Sequence, residues 1–257
     1  MDLQFGAHPT YYGLFGANLT TLLVAVAVLG VALFFKIRRK ETWLFELAFL
    51  LFLLSFTFVT IHGRLLQYAF PISLPEQPLI DNNLTFNYVV TNVLAYAVIP
   101  VLAVFGWNRR VSFEELGLKV KNSRRTVEYT GLGLLFASAV FLATEFFFHQ
   151  QWVIGYTTNG LIIWVVLVNV VSVFLQTLFF SGIIFNRYVG KVNVLLLAII
   201  GVFAFQSYVS SNSLPWQVCN MLTVASKLFV TWKTKSIYGA VLIAVATGFI
   251  ELALQIR

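Results

Sequence analysis

Few residues in this chain could act on anything, and their spacing limits what they could do. Glu145 and His149 stand four apart, which puts both on one helix face, and His62 falls at the end of another apolar run. A carboxylate with two imidazoles can hold a divalent metal, so Glu145, His149 and His62 are weak candidates for such a site. A haem between His62 and His149 has no motif behind it. Gln176, Thr177 and Ser181 cluster in "LQTLFFSGII", and Ser207, Asn169, Asn220, Thr223, Lys227, Thr247 and Glu251 are further polar residues within apolar runs. Amides and hydroxyls donate and accept hydrogen bonds but cannot take a proton near neutral pH, so they position rather than catalyse. Ser207, Ser210, Ser211 and Ser213 have no histidine or lysine base clearly placed beside them, which argues against a serine nucleophile.

The elements that must carry these residues are apolar helices. The chain has 257 residues, 59% hydrophobic and 11% charged, with a mean hydropathy of +0.85, which excludes the ordinary composition of a water-soluble domain. Runs long enough to cross a hydrocarbon layer, about 20 residues each, fall near 19–35, 43–61, 88–107, 129–148, 161–185, 192–209, 216–232 and 237–256. The expected fold is all-α, a polytopic membrane bundle of about eight transmembrane helices. Residues 1–110 would hold the first three helices and an outer loop, 63–87, and residues 111–257 the other five.

Charge sets the expected orientation, because Lys and Arg are retained on the cytoplasmic side during insertion. Four basic residues lie between the first two runs, six between the third and fourth, two after the fifth and two between the last pair, so fourteen of seventeen share alternate loops. Those loops are expected inside and both termini outside. Dividing the net charge of +7 among short loops leaves no surface for nucleic acid, although the loops can touch anionic lipid heads. "MDLQFGAHPTYYG" lacks the basic start of a cleavable signal, and the single cysteine, Cys219, rules out an internal disulfide.

Four segments in order carry a family resemblance. "VSFEELGLK" resembles a cytoplasmic Phe-x-x-Glu-Glu-Leu-Gly-Leu segment. "QTLFFSG" has the shape of Glu-Glu-x-x-Phe-Arg-Gly, "GVFAFQS" that of Phe-x-x-x-His, and "TKSIYGAVLIA" that of Thr-Gly-Ser-Leu-Trp-x-x-Ile-x-x-His. Together they resemble the CPBP family, the CAAX-prenyl-protease and bacteriocin-processing intramembrane peptidases, over about Val111 to Leu254. In that family the paired glutamates activate water, and the histidines orient it or bind metal. Carried over position by position, the glutamates fall on Gln176 and Thr177, the arginine on Ser181 and the histidines on Ser207 and Ala244. A companion asparagine falls on Gly248. None of these can activate water or ligate metal in that manner.

The resemblance therefore implies a degenerate, noncatalytic CPBP-like protein, with no cofactor, that binds and stabilises or regulates a membrane protein partner in a hetero-oligomeric complex. The groove near Gln176, Ser207 and Gly248 and the inner loop at Phe113, Glu114 and Leu118 are the expected contacts. Two alternatives are a metal-dependent intramembrane peptidase with an unconventional site, and a transporter or channel accessory subunit using Lys227, Glu251 and Glu145. The charge distribution makes one direct prediction. In a Cys219→Ala background, Ser123→Cys should resist an impermeant thiol reagent in intact cells while Gln77→Cys reacts; the reverse labelling pattern would overturn the orientation.

Overall fold

The computed structural model describes residues 19–39, 42–57, 79–80, 93–107, 111–148, 155–156, 169–208 and 214–255. It is all-helical apart from one two-residue strand pair. The eight helices among these residues are α1 Leu19–Arg39, α2 Thr42–Thr57, α3 at 94–107, α4 Ser123–Phe147, α5 Asn169–Tyr188, α6 Val194–Tyr208, α7 Leu214–Thr234 and α8 Tyr238–Gln255. Each coincides with one of the eight apolar runs. The ends differ where capping chemistry outweighs hydropathy. α4 starts at Ser123, well before the apolar run, because the Asn122 side chain accepts a hydrogen bond from the Arg125 backbone N–H at 2.9 Å.

Proline shapes two helices. Pro215 stands in the first turn of α7, where a backbone N–H has no intrahelical acceptor to lose. Pro100 lies inside α3, directly after a π-type turn over Leu94–Val98 in which the Ile99 N–H reaches back to the Leu94 carbonyl. Such a bulge is a recurrent feature of distorted helices, and here it adjoins the residue that cannot continue the ordinary ladder. α5 is also π-wound, over Leu178–Phe185, and closes with a tight turn at Asn186–Tyr188.

Every residue from Leu178 to Phe185 is buried, so α5 is the axis of the main core. Leu47, Leu50 and Leu54 of α2, Tyr96 and Val104 of α3, Leu197 of α6 and Leu228 of α7 belong to that core. The Tyr96 ring stands 5.7 Å from Phe179 and 5.8 Å from Phe180. α1 packs on α2. A second packing unit joins α4, α7 and α8 through Ala137, Val230 and Ile243, and through Phe141, Trp216 and Cys219. Because α7 contributes to both, it links them. At the end opposite the basic loops, Leu79–Ile80 pairs in parallel with Gly155–Tyr156, tying the α2–α3 connection to the α4–α5 connection.

α4 has an inverted pattern. Four of its five buried residues, Thr126, Thr130, Gly133 and Ala137, are small, Phe141 being the fifth, whereas Leu132, Leu135, Phe136, Leu142 and Phe146 are exposed. Small residues let helices approach closely: a Cβ on Gly133 would lie 2.6 Å from Val230 Cγ2 and 2.7 Å from Ile243 Cδ1. Among the described residues, α4 and α5 are long and apolar enough to cross a membrane, and shorter apolar stretches occur in five other helices.

Two glycines on different helices separate packing from intrinsic propensity. A Cβ at Gly182 would lie 2.6 Å from the Leu116 backbone carbonyl, whereas one at Gly131 meets nothing within 4 Å. Gly182→Ala should cost about 1–3 kcal/mol, while Gly131→Ala should be neutral or stabilising by up to about 1 kcal/mol. Thermal unfolding of the purified variants checks the contrast.

Candidate functional site

α5 meets α8 along its first half, and this contact places most of the residues carried over from the family motifs. Gln176 is half-buried, Thr177 and Ser181 are buried, and Ala244 faces inward from α8. Gly248 lies beneath Asn169, whose Oδ1 is 3.0 Å from the position that a Cβ on residue 248 would take. Only a residue without a side chain leaves the Asn169 amide undisturbed there. Ser207 falls in α6, but its side chain lies outside the described residues. The structure thus brings Gln176, Thr177, Ser181, Ala244 and Gly248 onto two helices in contact.

The local chemistry is neutral. The Thr177 hydroxyl donates to the Val173 carbonyl at 2.8 Å, and Thr247 donates to Ile243 at 2.9 Å, so both satisfy themselves on their own helix. Two further side chains differ: Asn169 Nδ2 and Ser172 Oγ are buried with no hydrogen-bond partner among the described residues. Burying such groups unpaired costs about 1–3 kcal/mol each. Ser172 did not stand out in the sequence as a site residue. Its signal is the 169, 172, 176 spacing, which repeats one helix face; Val170 and Val171 between them are exposed.

Glu145 is partly buried near the far end of α4, whereas His62 and His149 lie outside the described residues. Among the described residues no three His, Cys, Asp or Glu side chains gather as a metal site. Lys227 is partly buried on α7, where Thr231 donates to its backbone carbonyl at 2.9 Å.

The loop at 111–121 is docked onto the basic end of the bundle. Leu116 enters the main core, and the Gly117 carbonyl accepts the Ile237 N–H at 3.0 Å. Gly117 has φ +72, a left-handed conformation that glycine adopts without Cβ strain. Asn186 Nδ2 donates to the carbonyls of Glu114 at 3.3 Å and Glu115 at 2.9 Å, and the Tyr238 hydroxyl donates to Leu118 at 3.2 Å. Of the three expected contact residues here, Leu118 is half-buried, Glu114 is exposed and ion-paired with Lys121, and Phe113 is 74% exposed. The Lys121 hydrogen bond and charge hold the Glu114 carboxyl below the usual carboxylate range.

A buried ionic cluster was not anticipated. Arg187 Nη2 lies 3.3 Å from Glu46 Oε2, and the Tyr188 hydroxyl donates to that same oxygen at 2.9 Å, joining α2 to the end of α5. Arg187 counts as a loop charge in the sequence because it follows an apolar run. Glu46 within "WLFELAF" was the available signal: a carboxylate among apolar residues needs a partner. No family model, curated protein or solved structure matches the chain.

The Arg187 side chain is 4% exposed and that of Glu46 23%, so loss of the carboxylate leaves a buried guanidinium whose polar partner among the described residues is the Tyr188 hydroxyl. Glu46→Ala should destabilise by about 2–3 kcal/mol, less than a fully buried pair because solvent reaches Glu46. Glu46→Leu combined with Arg187→Met should recover much of that loss. Thermal unfolding of the two variants against wild type measures both effects.

Proposed function

We propose that the chain is a polytopic membrane protein with eight membrane-crossing helices, its basic loops on the cytoplasmic side and both termini outside. It acts as a noncatalytic CPBP-like scaffold that holds a membrane protein partner. The inverted pattern of α4 supports the membrane reading: its small, polar-leaning face packs inward while its large apolar face is exposed, as suits a helix whose surroundings are hydrocarbon. The alternation of basic loops supports the orientation.

One observation carries the noncatalytic reading. Where α5 meets α8, the positions that the resemblance makes catalytic hold Gln176, Thr177, Ala244 and Gly248, with Ser181 one turn further along α5, and none of the five is ionisable. Without a group able to accept a proton, water at this place stays unactivated. Restoring hydrolysis would need several simultaneous replacements, and loss of one catalytic group alone commonly costs orders of magnitude. What remains is a framework with hydrogen-bonding groups at the α5–α8 contact and a docked loop presenting Phe113 and Glu114, features suited to holding another protein.

Purification from native membranes in mild detergent, with identification of what accompanies the chain, tests this function. A stoichiometric membrane companion should copurify with wild type. It should be lost from Phe113→Ser combined with Glu114→Lys, with the abundance of the chain itself unchanged. A peptidase activity removed by Gln176→Ala or by chelation, with unfolding behaviour preserved, would overturn the proposal.

A further inference from the structure

The docking of the 111–121 loop brings together charges that are separate in sequence. The Gly117–Ile237 and Leu118–Tyr238 hydrogen bonds fix the loop against the α7–α8 turn, so Lys119 and Lys121 stand at the turn that carries Lys235. Carboxylates answer only part of this charge. Glu114 pairs with Lys121, and Glu128 pairs with Arg124 at 2.9 Å. Among the described residues Lys119 and Lys235 form no ion pair. The fold also restricts Lys235: it has φ +57, and its N–H bonds the Thr231 carbonyl at 2.8 Å. Burial, and then the neighbouring Lys121 charge, hold its ammonium below the usual lysine range. A half-buried cation beside a second cation is unfavourable unless an anion joins them.

The surroundings identify the source of that anion. Lys233 Nζ lies 3.9 Å from the Trp232 ring centroid, Arg125 stacks over Tyr129 at 5.5 Å, and Tyr238 is 40% exposed. Aromatic residues with basic neighbours at helix ends mark the depth of lipid headgroups. We propose that Lys235, Lys121 and Lys119 form a binding site for the phosphate of an anionic phospholipid in the inner leaflet. The site rests on the membrane reading above and is independent of the partner protein. It differs from a general attraction of basic loops to the membrane because loop docking assembles it at one place.

Native mass spectrometry of the detergent-purified full chain, offered equimolar phosphatidylglycerol and phosphatidylcholine, tests the site. Wild type should retain phosphatidylglycerol selectively, Lys235→Gln and Lys119→Gln should each lower that retention about fivefold, and Lys191→Gln, at the α5–α6 turn on the same end, should stay within about twofold of wild type. Equal retention of the two lipids, or an equal loss from Lys191→Gln, would overturn the site. Displacement of the lipid by millimolar glycerol phosphate would overturn the assignment to a membrane source. A carbonate wash of the membranes separates the premises: a chain that stays in the pellet but shows no lipid selectivity refutes this site alone, whereas a chain released as soluble protein refutes the membrane reading with it.

Discussion

Because residue 182 has no Cβ, the backbone carbonyl of Leu116 can lie directly against α5, and the basic end of the bundle is organised around that approach. It seats Leu116 in the main core and brings the Gly117 carbonyl to the Ile237 N–H, so one loop is bonded to the start of α8 while it packs on the end of α5. Asn186 reinforces the arrangement by donating to two loop carbonyls, that of Glu115 and that of Glu114, which also accepts the Gly117 N–H. A side chain at 182 would displace backbone rather than a flexible terminus. The loop, α5 and α8 are therefore constrained as a set, and the charges that the loop carries are set with them.

Polar groups in this fold are handled in three ways, each matched to depth and charge. Threonines 57, 126, 144, 177, 231, 234 and 247 bond a carbonyl four residues back, which satisfies a hydroxyl without help from another helix. Arg187 cannot be satisfied locally and recruits Glu46 and Tyr188, making one ionic contact that crosses from the N-terminal helices to α5. Asn169 Nδ2 and Ser172 Oγ, like Thr130 Oγ1 and Thr223 Oγ1 elsewhere in the bundle, are buried with no hydrogen-bond partner among the described residues; the first two lie in the half of α5 that meets α8. The side chains at 176, 177 and 181 can hydrogen-bond, but none of them can take a proton near neutral pH.

Apolar length was enough, in the sequence alone, to locate the eight helices among the described residues, because a long apolar run satisfies its backbone polar groups most simply as a helix. The sequence also determined that the motif positions hold no ionisable group, since that depends on identity and not on placement. Hydropathy could not show where helices extend into polar sequence: the start of α4 depends on the Asn122 cap, and the continuation of α5 through Tyr188 depends on Arg187 having a partner on α2. Tertiary structure alone decided that Glu46 meets Arg187, that Asn169 covers Gly248, and that Lys121 stands beside Lys235. These pairs are 141, 79 and 114 residues apart, and no local pattern specifies which helix faces meet. Their juxtaposition depends on close approach at glycines and small residues, whose effect appears only when the opposing helix is in place.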